Sequence, residues 1–293
     1  MKYLTIINMN NYIYCYPSFL SNLDTFIMSK RPFKNKFITY YPHESTILVK
    51  LVKKNNKTYK DEKTLFCLNT ISHNFTILYH NKKYYGIGGV SMIHDNLFHY
   101  GAFGKYKEGL YLLISDNAIN WQEPKLIISR RSSLPNECCC FDSQPCFFYN
   151  DSDNLYYLYQ RWNSSKGRRR LQLFKSDNIE DWTNTEAMEV KINIDINIYV
   201  AYIFKEKNSF YGIILYYVYK PESLKQQFLK KQIKCGLMKS ENGINFKFIN
   251  ADLIDYIKYG WPVMNSLHNT DTKKYIYCCN QEGLISKHEI HLN

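Results

Sequence analysis

Three stretches of this chain are near-copies of one phrase: SDNAINW at 115–121, SDNIEDW at 176–182 and SENGINF at 240–246. Each opens with Ser, continues with an acid and an Asn, and closes six positions after the Ser on a large aromatic. The copies begin 61 and 64 residues apart. Self-similarity at a fixed period is the mark of a repeated supersecondary unit, so whatever this chain folds into must be built from units of about that length.

The surroundings of each copy say what the unit is. A strand-like run stands immediately before each: GLYLLI (109–114), RLQLFK (170–175) and CGLMK (235–239). Further aromatic runs precede those, namely NKKYYGIGGV with NLFHYGAF, then NLYYLYQRW, then SFYGIILYYVY. HNKK (80–83) and NDSDN (150–154) have hairpin chemistry, and the acid or Asn after each Ser suits a side chain that hydrogen-bonds the backbone of a tight turn. A unit of roughly 60 residues with about four short strands is a β-meander of the size of a propeller blade. The expected fold is therefore all-β: one five-bladed β-propeller domain over 1–293, with four-stranded antiparallel blades around a central axis. Units at about 71–130, 131–192, 193–250 and 251–293 follow one another, and segment 1–70 completes the ring. Each closing aromatic is expected to pack between neighbouring sheets. The one helix signal of note is PESLKQQFLKKQIK (221–234), with Pro221 in a first-turn position and Leu224, Phe228 and Ile233 on roughly one face, as an insertion in the third unit.

Composition agrees. Of 293 residues, 45% are hydrophobic and 16% aromatic, with 27 Tyr and 17 Phe, a mixture that favours strands and excludes wholesale disorder. No apolar stretch has the length of a membrane span or of a signal-peptide core, so a soluble cytoplasmic protein without a membrane partner is expected. The nine cysteines are odd in number, three are consecutive (Cys138, Cys139, Cys140), and no CxxC pair occurs, which reads as free thiols in a reducing compartment. The formal charge of +12 would suit a nucleic acid, an anionic glycan or a lipid surface, but it is spread thinly along the chain, and a nucleic acid is not the expected partner. Its densest knot, KGRRR (166–170), lies between two strand-like runs and reads first as a solvated hairpin tip. No cofactor or metal is expected: HEIH (288–291) sits at the terminus, GIGG (86–89) is strand rather than phosphate loop, and no G-x-S-x-G elbow occurs.

The run FDSQPCFFYNDSDNLYYLYQRW, continuing to RRLQLFKSDNIEDW (141–182), resembles the second blade of the five-bladed β-propeller glycoside hydrolases, the superfamily that holds families 32, 43, 62 and 68. The third unit, with IYVAYIF, FYGIILYY and CGLMKSENGINF, resembles their next blade more loosely. Sialidase propellers carry a related turn, but their aromatic falls one position later. The resemblance implies cleavage of a glycosidic bond in an axial pocket by two carboxyl groups, roughly 6.5–9.5 Å apart for inversion or about 5–5.5 Å for retention.

In those families one Asp stands on the first blade, a second Asp on the second, and a Glu acts as general acid on the third. Asp142 in CFDSQP matches the second of these. His73 and Asn74 occupy the first position, where neither is a carboxylate. The third has no Glu; Asp195 in NIDINIYVAYIF is the nearest carboxyl and Tyr199 is nearer the expected register. Glu137 and Glu206 read as loop acids. The resemblance thus implies Asp142 and Asp195 as catalytic candidates, with His73, Asn74, Gln144, Arg161, Trp162, Tyr199 and His268 as candidates for holding a carbohydrate. Asp142 as a turn cap, Asp195 as a strand-edge acid and Trp162 as a packing residue are the plain structural alternatives. Three functions stay open: a glycan-cleaving enzyme, hydrolytic or phosphorolytic; a glycan-binding propeller without turnover; and a nucleic-acid- or partner-binding propeller using the positive charge.

Overall fold

The structure is a computed structural model. It describes residues 3–9, 12–18, 25–30, 35–40, 46–53, 59–68, 76–93, 98–100, 107–116, 121–134, 141, 143–163, 168–218, 233–262, 267–269, 273–279 and 285–292. The described residues are almost entirely strand. The N-terminal part holds β1 (Tyr3–Met9), β2 (Tyr12–Ser18), β3 (Thr25–Lys30), β4 (Asn35–Tyr40), β5 (Thr46–Lys53) and β6 (Tyr59–Leu68). These form an antiparallel sheet of order β1-β2-β5-β6 and a separate β3-β4 hairpin.

The repeat region begins with β7 (Thr76–His80), β8 (Lys83–Ile93), β9 (Phe98–Tyr100), β10 (Gly109–Ser115) and β11 (Lys125–Ser129), paired as β7-β8-β10-β11 with β9 on β8. The second meander is β12 (Cys146–Asn150), β13 (Leu155–Asn163), β14 (Arg169–Ser176) and β15 (Met188–Ile192), and the third is β16 (Ile196–Glu206), β17 (Ser209–Val218), β18 (Lys234–Ser240) and β19 (Asn245–Ile254). Their last strands meet in a short parallel pairing, Lys191 with Asn245 and Ile192 with Phe246, so the two meanders run on as one eight-stranded sheet. A one-turn helix α1 (Tyr256–Tyr259) leads into β20 (Trp261–Pro262), β21 (His268–Asn269), β22 (Lys274–Cys279) and β23 (Ile285–Ile290), a further small sheet. Of the stretch expected to be helical, 221–232 lies outside the described residues, and Lys234 opens β18 instead.

The turns form where the residues dictate. Asn81 and Lys82 both take positive φ (47° and 62°), the two-residue loop whose twist matches a hairpin, and it joins β7 to β8. The repeated phrase makes the same turn in its second and third copies. Ser176 Oγ accepts from Asn178 N–H (3.1 Å) and Asn178 Oδ1 from Glu180 N–H (3.0 Å); Ser240 Oγ accepts from Asn242 N–H (3.3 Å) and Asn242 Oδ1 from Ile244 N–H (2.9 Å). Beside the second copy, the Thr183 backbone N–H and hydroxyl hold the Asp181 carboxyl below the usual range. Residues 117–120 of the first copy lie outside the described residues.

The second meander is buried on both faces. On β12, Cys146 faces the third meander and Phe147 the first; on β13, Tyr157 and Tyr159 go one way and Tyr156 and Leu158 the other. This explains LYYLY, a continuous apolar run where a half-exposed strand would alternate. The closing aromatics fill these two interfaces: Trp182 (1% exposed) packs with Ile87, Leu112 and Ile127 of the first meander, and Phe246 (2%) packs among second- and third-meander residues. Strand β12 lies beside β7 on one side and β16 on the other. Thr76 Oγ1 donates to Pro145 O (2.7 Å), and the Cys146 thiol both donates to Ile203 O (3.0 Å) and accepts from Ile203 N–H (3.2 Å). First strands of successive meanders therefore stand side by side.

Candidate functional site

The ends of β13 and β17 and the starts of β12, β14 and β16 come together at one end of this array, because antiparallel pairing sets Tyr159 opposite Cys146, Asn163 opposite Arg169, and Asn197 opposite Tyr217. The polar residues of those strands collect there. Gln160, fully buried, donates from Nε2 to Ser143 Oγ (2.9 Å) and Ser143 O (3.3 Å). On the other flank of the same loop, Phe141 is fully buried, and a Cβ built on Gly89 would fall 2.0 Å from Phe141 O. The two neighbours of Asp142 are thus pinned, one by a glutamine and the other by a glycine. Asp142 itself lies outside the described residues, as do His73 and Asn74, and of His268 only the backbone, in β21, is described.

Arg161 is 3% exposed and donates from Nη1 to Tyr199 O (3.1 Å). Its guanidinium carbon lies 5.7 Å from the centre of the Tyr199 ring, and that of Arg169 lies 5.1 Å from the same ring. Arg169 N–H donates to Asn197 Oδ1 (2.7 Å), and Asn197 is fully buried. Tyr217 belongs to the same group: burial pushes its phenol up, while the charges of Arg169 and Arg161 pull it back down. Gln144 is buried beside the start of β12. Trp162 alternates to the other face of β13, where it is 9% exposed with its indole N–H donated to Leu171 O (3.2 Å).

Asp195 stands at the entrance to β16 with its side chain 54% exposed, and its Oδ1 accepts from Arg168 Nη1 (2.8 Å) and Arg170 Nη2 (2.7 Å). Arg170 Nη1 also donates to Ile196 O (3.0 Å). The arginine run thus differs from a solvated hairpin tip. Arg168 and Arg170 fold onto the start of the neighbouring meander, and Arg169 between them turns to Tyr199. Glu206 likewise makes an ion pair with Lys274 of β22 (2.7 Å).

The structure therefore brings Arg161 and Tyr199 into contact, with Gln144 at the same end and Asp195 at its outer edge, and turns Trp162 away. Sequence reading missed Arg169, Asn197, Tyr217 and Gly89. The run RRR carried the signal for Arg169, since alternation along a strand separates the middle residue of three from its neighbours. Among the described residues no group of three or more His, Cys, Asp or Glu could hold a metal ion. No helix among them is long and apolar enough to cross a membrane.

No protein-family model matches the sequence, and no curated protein matches it significantly. Solved structures do match. An α-L-arabinofuranosidase of glycoside hydrolase family 43 from Clostridium thermocellum ATCC 27405 superposes over 100% of this chain and 90% of its own, with a TM-score of 0.61 at 14% identity. The family 32 β-fructofuranosidase of Bombyx mori gives 0.61 at 13% identity, this chain being covered in full and spanning 61% of that one. The fold is that of the family 43 and family 32 glycoside hydrolases. A family 43 enzyme of Xanthomonas citri, solved with xylotriose, agrees at a TM-score of 0.57 and 10% identity, over 100% of this chain and 88% of its own. Those hydrolases are β-propellers, which accounts for first strands standing side by side and for a meander with two buried faces.

Proposed function

We propose that this protein acts on a glycan held where β7, β12 and β16 begin, and that it cleaves a glycosidic bond there with Asp142 as one of the acting carboxyl groups. The whole chain forms one five-bladed propeller in this reading, and the pocket is its axis. The observation that carries it is that Phe141 and Ser143, the residues flanking Asp142 in sequence, are held by Gly89 and Gln160 just ahead of the first strand β12 in a glycoside hydrolase fold. Asp195 is the second carboxyl, and His73, Asn74, Gln144, Arg161, Tyr199 and His268 are the residues proposed to hold the sugar.

A second reading, glycan binding without turnover, is favoured by the geometry of Asp195. Its Oδ1 is occupied by two guanidinium groups at the surface, the arrangement of a clasp between meanders. The two readings separate in one experiment. Arabino-, xylo- and fructo-oligosaccharides are incubated with the protein and with Asp142→Asn, products are followed by chromatography, and binding is followed by calorimetry. Hydrolysis predicts products that fall about 100-fold or more in Asp142→Asn, the scale of a lost acid–base group. Binding without products supports the second reading. Turnover unchanged in Asp142→Asn removes the first.

A further inference from the structure

Two glutamines stand in an apolar interface. Gln160 on β13 and Gln172 on β14 are opposite one another in the strand pairing, next to Leu158 and Phe174, which belong to the core shared with the first meander, and both glutamines are fully buried. An apolar side chain of the same length would fill that place without the cost of taking an amide out of water, a cost that hydrogen bonds have to offset. The partners of the two amides therefore say what their polarity is for.

Both amides reach the connection from β11 to β12, and they take opposite ends of it. Gln172 holds the beginning: its Nε2 donates to Ser133 Oγ (2.9 Å) and its Oε1 accepts from Leu134 N–H (3.0 Å). Gln160 holds the end, through its bonds from Nε2 to Ser143 Oγ (2.9 Å) and Ser143 O (3.3 Å). Asp142 directly precedes Ser143, and Pro145, two residues further on, accepts from Thr76 Oγ1 (2.7 Å). One cross-strand pair thus ties both ends of the segment 133–143 to a hydrogen-bonded sheet. Groups that do chemistry keep a working geometry when buried partners of this kind, on regular elements, lock the chain that carries them.

We propose that Gln160 and Gln172 are positioning residues for Asp142: the pair sets the path of the connection that carries this carboxyl, and Gln172 acts on it from the far end, through Ser133 and Leu134. The inference rests on the glycan-cleaving reading above for its effect on turnover and on the hydrogen bonds alone for its effect on the connection. The two effects are measured separately.

Gln160→Met and Gln172→Met keep an unbranched side chain of similar length and remove its amide. Amide exchange is followed by mass spectrometry in peptides covering 133–145, β10 and β17, with thermal unfolding as the check that the fold is kept. Exchange in 133–145 is expected to quicken about fivefold or more in each variant, the size of one lost hydrogen bond, while β10 and β17 exchange as in the native protein. Any arabino-, xylo- or fructo-oligosaccharide that the native protein cleaves then serves for kinetics. In both variants kcat is expected to fall about tenfold or more with KM held within about twofold, because a small misplacement of an acting group weakens the chemical step more than the binding. Ser133→Ala, which removes a half-buried partner instead of a buried amide, carries the same measurements for a variant that does not fold. Unchanged exchange in 133–145 overturns the proposal, and so does exchange that quickens equally in all three peptides, the mark of ordinary core residues. Quickened exchange in 133–145 with kcat unmoved also defeats it, since the pair would then hold the connection without placing Asp142. A native protein that cleaves none of the oligosaccharides removes the glycan-cleaving reading and leaves exchange to decide the pair: quickening confined to 133–145 supports it, and none overturns it.

Discussion

At the scale of the residue, the most consequential position is one that carries no chemistry. Gly89 lies on β8 in the first meander, and the only space its absent side chain leaves is taken by the carbonyl of Phe141 in the second. A Cβ at 2.0 Å from that oxygen cannot be accommodated without moving backbone, since the obstacle is main chain rather than the end of a flexible side chain. Because Asp142 is the next residue, Gly89→Ala displaces the proposed catalytic loop before it harms the core. The expected outcome is a folded protein with a thermal midpoint lowered by several degrees and a disproportionate loss of glycan turnover or binding, roughly tenfold or more. Calorimetric binding together with thermal unfolding checks it. A variant with native affinity would show that the Phe141 carbonyl yields without moving the site. Sequence reading saw Gly86–Gly89 only as small residues in a strand, because a contact between chain segments so far apart leaves no local trace. Asp142, by contrast, is named by its motif alone.

At the scale of the element, the repeated turn is the part of the fold most legible beforehand. The Ser-acid-Asn phrase works locally: the serine hydroxyl and the asparagine amide satisfy backbone N–H groups two residues on, so its geometry is written in adjacent letters. The closing aromatic was equally readable, because a large apolar residue after a polar turn needs a buried place, and Trp182 and Phe246 have one. What escaped was the destination of RRR. Charge alone assigns arginines to solvent, and only the approach of β16 gives Arg168 and Arg170 an acid and Arg169 an aromatic face. The turn itself makes a prediction. Ser176→Ala and Ser240→Ala each remove a buried hydroxyl that both donates and accepts, and each is expected to cost about 1–3 kcal/mol, nearly the same in the two copies. Denaturant unfolding of the two single variants measures this. A large effect in one copy and none in the other would mean that the turns look alike but bear different shares of the fold.

At the scale of the whole molecule, the second meander belongs to two cores at once. Residues of β12, β13 and β14 alternate between the cluster shared with the first meander and the cluster shared with the third, so neither cluster is complete without the same three strands. Hydrogen bonds from Thr76 to Pro145 and between Cys146 and Ile203 tie the first strands across both boundaries. Meanders that merely sat next to one another would unfold one by one, as in open repeat arrays; meanders that share their strands should open together. Phe147→Ala tests which holds. The Phe147 ring is fully buried on the side of the first meander, and removing it is expected to cost about 3–5 kcal/mol. The reporter is Cys146, next to it but facing the other way, where burial pushes the thiol up to about 12 and keeps it unreactive at neutral pH. Alkylation of Cys146, followed peptide by peptide in rising denaturant alongside amide exchange in β10, gives one midpoint for both probes if the cores are coupled. Phe147→Ala should then lower the two midpoints by the same amount. Early loss of protection in β10 with Cys146 still shielded would show instead that the interfaces come apart independently, and that the site between β12 and β16 stands without the first meander.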